Sequence, residues 1–227
     1  ERAGACRTAA TAVWHRERDR KSVNVSYLLV YYRPVSTVAN SSKSNACLRL
    51  PVDFYWYGGG DGTQKQHIAL AVEALMAALK KRLDRRWSPF NEKFTQAEFR
   101  KRLEKAARGE LQPPKEIKSL RAGDILFEIR WAGIPVHECP PTGPERHTTA
   151  EVRLIHAQPY DELGLCVLGL HAHEKAIIDG DAQATKRLQD DQIDLAEQRF
   201  SSGRSTCWGV QRRSQHGSEL PTRTPSS

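Results

Sequence analysis

The feature that most constrains this chain is a change in the period of its apolar residues. Ile68, Val72, Leu75, Leu79 and Leu83 recur at spacings of three and four, the mark of one helix face over about residues 64–85. From residue 125 the period becomes two: Ile125, Phe127, Ile129 and Trp131 alternate with Leu126, Glu128 and Arg130, as in a half-buried strand. Helices followed by strands imply a segregated α+β fold rather than alternating βαβ units.

The elements around that switch can be filled in. Thr95 followed by Glu98 makes a capping-box pattern, and Phe99, Leu103 and Ala106 supply the stripe of a second helix ending near Gly109. Pro113-Pro114 then breaks the chain ahead of the sheet. EVRLIHA (151–157) and LCVLGLH (165–171) read as two further strands, the second apolar enough to be central, and the short link around Pro159 and Gly164 suits an antiparallel pair. Ile193, Ala196 and Phe200 mark a short closing helix opened by Asp190 or Asp191. Upstream, VNVSYLLVYYRPV (23–35) and LRLPVDFYWY (48–57) have strand-like composition, and Gly58 to Gly62 reads as a turn lacking the Lys-Ser/Thr ending of a phosphate-binding loop. The expected fold class is therefore α+β: a small twisted antiparallel sheet with two N-terminal helices packed on one face and a short C-terminal helix. Residues 1–50 form an extension with one candidate strand, 51–200 the domain, and 201–227 a disordered tail rich in Ser, Arg and Thr.

Charge narrows the partner. Residues 80–130 hold fifteen Lys or Arg against eight Asp or Glu, which accounts for seven of the eight net positive charges of the 227-residue chain. A focused basic surface concentrates polyanions and releases counterions from phosphates, so nucleic acid is one reading and a solubilising surface around two helices the other. The five cysteines are scattered, odd in number and without a CxxC pair, so a disulfide framework is not expected. No apolar run approaches the roughly 20 residues that cross a bilayer, and the first residues lack the order of a secretory signal, which favours the cytoplasm and no membrane partner.

Four segments in order carry a family resemblance. Lys118-Ser119-Leu120-Arg121-Ala122-Gly123-Asp124 running into Ile125-Leu126-Phe127-Glu128-Ile129-Arg130 looks like the K-x-L-x-x-G-(L/I)-x-E-(L/I)-R segment of RelE/HigB-type toxins. Val152 to Ile155 resembles the next strand of that family, and Val167 to Lys175 its third, V-x-L-L-H-x-F-x-K-K. Ile193 to Phe200 is similar to the closing I-x-x-A-x-x-R-(F/Y/L) helix. The chain thus resembles the RelE/ParE/HigB superfamily across about 100 residues. It departs from that pattern in a long insertion at 132–150, where relatives have a short hairpin, and in His173, where many carry an aromatic residue.

The resemblance implies the toxin of a type II toxin-antitoxin system, neutralised by a cognate antitoxin, for which a helix-turn-helix protein is one candidate. Many relatives cleave messenger RNA on the ribosome and others poison gyrase, so the alternatives are an mRNA interferase, a non-catalytic gyrase poison and an inactive nucleic-acid-binding relative. Cleavage by 2′-hydroxyl attack needs a proton acceptor, cations at the phosphate and a proton for the leaving 5′-oxygen. The expected catalytic set is Arg130, Arg153, His171, His173 and Lys175, with Lys118, Arg121, Arg102 and Lys105 holding RNA backbone. Arg130 has an alternative role, pairing with Glu128 on an exposed sheet face. His137, Cys139, His147 and Cys166 raise zinc, but His137-x-Cys139 is not a usual finger spacing and the neighbouring prolines fit a surface loop, so neither metal nor cofactor is expected.

Overall fold

In a computed structural model, residues 43–120 and 126–211 are described. The candidate strand at 23–35, Arg121 and residues 212–227 lie outside them. The described elements are β1 (Asp53–Trp56), α1 (Gln64–Lys80), β2 (Arg85–Arg86), α2 (Pro89–Ala107), β3 (Ile117–Leu120), β4 (Leu126–Glu138), β5 (Arg146–Ala157), α3 (Tyr160–Leu163), β6 (Cys166–Glu174) and α4 (Ala182–Gly203), with 3-10 turns at Asn45–Cys47 and Arg204–Gly209. Among the described residues the fold is α+β, with four helices and a mixed six-stranded sheet in the order β1-β6-β5-β4-β2, β3 pairing with β4.

The sheet, expected to be antiparallel, is mixed. β1 lies parallel to β6, with Phe54 opposite Val167 and Trp56 opposite Gly169, while the other pairs are antiparallel. The reason is topological. β1 precedes both long helices and reaches its partner over more than a hundred residues, which short-range patterning does not report. The two helices consequently sit inside the order of strands rather than ahead of it.

α1 starts where its local chemistry requires. The Thr63 hydroxyl accepts from the Gln66 amide and the Gln66 side chain accepts from the Thr63 amide, a reciprocal cap. Ile68, Val72, Leu75 and Leu79 are buried as the stripe predicts, but the helix ends at Lys80 and Leu83 is 96% exposed. Ser88, with Pro89 in the first turn, caps α2 by accepting from the Asn91 amide. The expected cap at Thr95 does not form, because Thr95 is buried in mid-helix once the chain has turned at Ser88. Gly109 stops α2 at a φ of 69°, and a Cβ there would stand 2.6 Å from the Leu50 carbonyl oxygen.

The sheet separates two cores. On one face α1 and α2 bring Leu75, Leu79, Phe99 and Leu103 against Phe127, Ile129, Trp131, Val152 and Leu154. On the other, Tyr55, Ile155, Leu168 and Leu170 meet Ala196 and Trp208, with Ile193 and Phe200 at the margin. α4 is longer than the short helix expected: it opens at Asp181, whose carboxylate accepts from the Ala184 amide, and runs for 22 residues. The chain does not fray at residue 201 either. Trp208 is 1% exposed and donates its indole N–H to the Phe200 carbonyl at 2.7 Å, and Val210 bridges to Gly60. A single large aromatic overrides a polar surrounding composition here.

Residues 132–150 continue β4 and β5 into one long hairpin, its register shifting between Trp131 and Ile134. Arg85, at the short edge strand β2, is buried and makes a two-pronged pair with Glu174 at 2.6 and 2.7 Å, with Glu138 at 3.4 Å. That contact ties β2 to the far end of β6. No helix among the described residues is long and apolar enough to cross a membrane.

Candidate functional site on the central strands

Register alone brings three expected residues into one row. Arg130 on β4 is opposite Arg153 on β5, and Arg153 is opposite His173 on β6. Directly paired residues project to the same side of a sheet, so the three share a face. The adjacent row runs Lys118, Glu128, Ile155, His171. Ile155 packs in the α4-side core, which identifies the face as the one α4 partly covers. The His171 and His173 rings stack at 5.7 Å between centroids, and the Lys175 amide donates to the Glu151 carbonyl at the end of the rows. All five expected catalytic residues and Lys118 therefore gather on one face.

Two carboxylates that the sequence reading did not assign to the site hold the cations. Glu128 lies 3.2 Å from Arg130 and 3.7 Å from Arg153, and Glu151 lies 2.5 Å from Arg153 and 3.3 Å from Lys175. Three cations against two carboxylates leave the cluster one positive charge in excess. Burial opposes ionisation of Glu151, but Lys175 and Arg153 outweigh it and hold its carboxyl below the ordinary range. Burial also lowers Arg153, with Glu128 acting in the opposite sense and Arg130 in the same one. Arg130 thus makes the pair with Glu128 that was its alternative role.

The histidines differ in what they can do. His171 Nε2 lies 2.8 Å from Gln192 Oε1 and its Nδ1 lies 3.4 Å from an Arg199 guanidinium nitrogen. The tautomer that satisfies both carries its proton on Nε2, so each ring nitrogen is engaged with α4. Burial lowers its pKa, which the Gln192 contact opposes and Arg199 reinforces. His173 Nδ1 donates to the Glu174 carbonyl at 3.2 Å, which places the acceptor lone pair on Nε2. Burial pushes its pKa down to about 4, and His171 and Arg153 add to the effect. Near neutrality His173 is an uncharged acceptor. Arg153, His171 and His173 are 3%, 6% and 8% exposed, so the row meets solvent mainly through Arg130, Lys175 and Lys118.

Arg102 and Lys105 do not join this face. Arg102 lies over the Trp131 ring at 5.5 Å, donates to the Arg130 carbonyl and pairs with Glu116 at 3.8 Å, and Lys105 pairs with Glu116 at 2.6 Å. Both hold α2 against the opposite side of the sheet, where Phe99 meets Trp131 edge-on. Their expected RNA contacts came from charge on the polar side of a helix, and Glu116 is the counter-ion that helix periodicity alone does not reveal. Arg199, present in the closing-helix motif, and Gln192 are the site neighbours the expected set lacked.

A second cluster lies at the hairpin tip. His137 Nε2 is 3.3 Å from a Glu145 carboxylate oxygen and 3.8 Å from Cys139 Sγ, and one ligand atom from each of the three residues falls within 4.8 Å of the others. The His147 ring stacks on His137 at 4.4 Å. Cys166 is not part of this group, being fully buried in the α4-side core. In comparisons with known proteins, no family model, no curated protein and no solved structure matches the chain.

Proposed function

We propose that the protein is an RNA-directed toxin of the RelE/HigB kind, acting as an mRNA interferase. The observation that carries this reading is the cross-strand row Arg130–Arg153–His173, flanked by Lys175 and Lys118. Two guanidinium groups side by side suit the extra charge that develops at phosphorus when a ribose 2′-hydroxyl attacks it, and each well-placed donor contributes on the order of 3 kcal/mol to such a step. A neutral His173 receives the 2′-hydroxyl proton on Nε2, and Lys175 protonates the departing 5′-oxygen. RNA on the ribosome is the proposed substrate and a small cognate antitoxin the proposed protein partner.

One observation favours a second reading, a gyrase-directed or otherwise non-cleaving toxin: Arg130, Arg153 and Lys175 already have carboxylate partners, and Arg153 and His173 are buried. Inducible expression in bacteria with mapping of RNA ends separates the two. Growth arrest with new RNA ends, both lost in Arg130→Ala, is the expected result. Arrest with DNA damage and intact RNA would select the second reading, and normal growth on expression of folded protein would sink both.

A further inference from the structure

The tip of the β4–β5 hairpin carries a set of donors unrelated to the row on the central strands. His137 is near the end of β4, Cys139 follows that strand directly, and Glu145 immediately precedes β5. Along the strand, the seven residues from Arg130 to His137 place the tip about 20 Å from the row. We propose that this tip is a metal site in which His137 Nε2, Cys139 Sγ and a Glu145 carboxylate oxygen bind a zinc-class divalent cation, with solvent in the fourth position.

Geometry is the first support. Zinc bonds of about 2.0–2.3 Å in a tetrahedral arrangement set neighbouring ligand atoms roughly 3.3–3.8 Å apart. The His137–Glu145 and His137–Cys139 separations, 3.3 and 3.8 Å, already have that spacing, and the remaining pair lies within 4.8 Å. The second support is orientation. Glu145 points one oxygen at His137 and the other at Arg86, 2.9 Å away, so a cation on the first oxygen leaves the second held by an outer partner, as metal-bound carboxylates commonly are. His147 stacks against His137 and restrains the plane of its ring. The third is preorganisation: Pro140, Pro141 and Pro144 lie between Cys139 and Glu145, so little loop freedom is lost when the donors converge.

Thiolate with imidazole and carboxylate favours zinc over magnesium or calcium. On binding, the Cys139 thiol releases its proton to solvent as the sulfur–metal bond forms, and His137 binds as the neutral ring. The ion would pin the two arms of the hairpin together at their free end, independently of any RNA chemistry.

The test uses the full chain, stripped with a chelator, desalted, and titrated with cobalt(II) and then zinc. One cobalt per chain is expected, with the visible bands of tetrahedral cobalt and a thiolate-to-cobalt charge-transfer band, all bleached by zinc. Cys139→Ser should abolish the charge-transfer band. His137→Gln and Glu145→Gln should each weaken zinc binding by at least the roughly tenfold that loss of an outer partner alone costs, with unchanged circular dichroism. Failure of the unsubstituted chain to take up cobalt would overturn the proposal whatever the variants do, as would a charge-transfer band that persists in Cys139→Ser.

Discussion

At the scale of single residues, burial sets what the histidines do. His173 has its pKa pushed down to about 4 and His156, wholly buried beside Ser44, to about 3. If His173 Nε2 takes the 2′-hydroxyl proton, cleavage falls only when the ring is protonated. The rate should therefore stay level from pH 8 to about pH 5 and drop along a limb near pH 4, rather than near the 6.5 of an ordinary histidine. A limb at 6.5 in a single-turnover pH profile would remove His173 from that role. The same burial makes stability depend on acid. Below pH 6.5 the unfolded chain binds protons at both rings that the folded chain refuses, so stability is fully present above 6.5 and is lost as pH falls toward each folded value, by about 1.4 kcal/mol per pH unit per ring. Urea unfolding between pH 7 and 4 should show that decline, and His156→Gln should lessen its slope.

At the scale of elements, ends and ties matter more than interiors. Ser88→Ala removes the oxygen that caps α2 and should cost about 1 kcal/mol, whereas the buried Thr95 plays no cap role. Replacing Arg85 by Ala strands Glu174 and Glu138 without their buried cation and should cost roughly 3–5 kcal/mol. Both are read from denaturant midpoints at constant m-value. α1 was legible because its apolar stripe is local. The start of α2 was not: the Thr95–Glu98 pattern set it seven residues past Ser88, the residue that caps it, and Thr95 is buried in mid-helix.

At the scale of the whole molecule, the turn at Arg204–Gly209 belongs to the fold. Trp208 fills the α4-side core and the backbone around it joins the Gly58–Gly60 turn. Trp208→Ala should therefore cost about 3–5 kcal/mol, like other large aromatic truncations, and ending the chain at Gly203 should cost at least as much. Unchanged thermal stability of either variant would show that this turn is peripheral. Composition pointed to a tail because it averages over many polar neighbours, while burial of one indole is a decision made by distant residues.

What was legible of the candidate site is that its residues share a face. The resemblance supplied Arg130, Arg153, His171, His173 and Lys175 as candidates, and a period of two on adjacent strands is enough to put Arg130, Arg153 and His173 on one side of the sheet. The chain by itself also determined the α+β class, α1 and the antiparallel run from β4 to β6. Only the tertiary structure decided that β1 adds parallel to β6, that Arg102 and Lys105 serve Glu116, that Glu128 and Glu151 neutralise the arginines, and that His137, Cys139 and Glu145 meet at a hairpin tip. These are contacts between segments far apart in sequence or across a turn. Their geometry depends on register and packing, which no local period encodes.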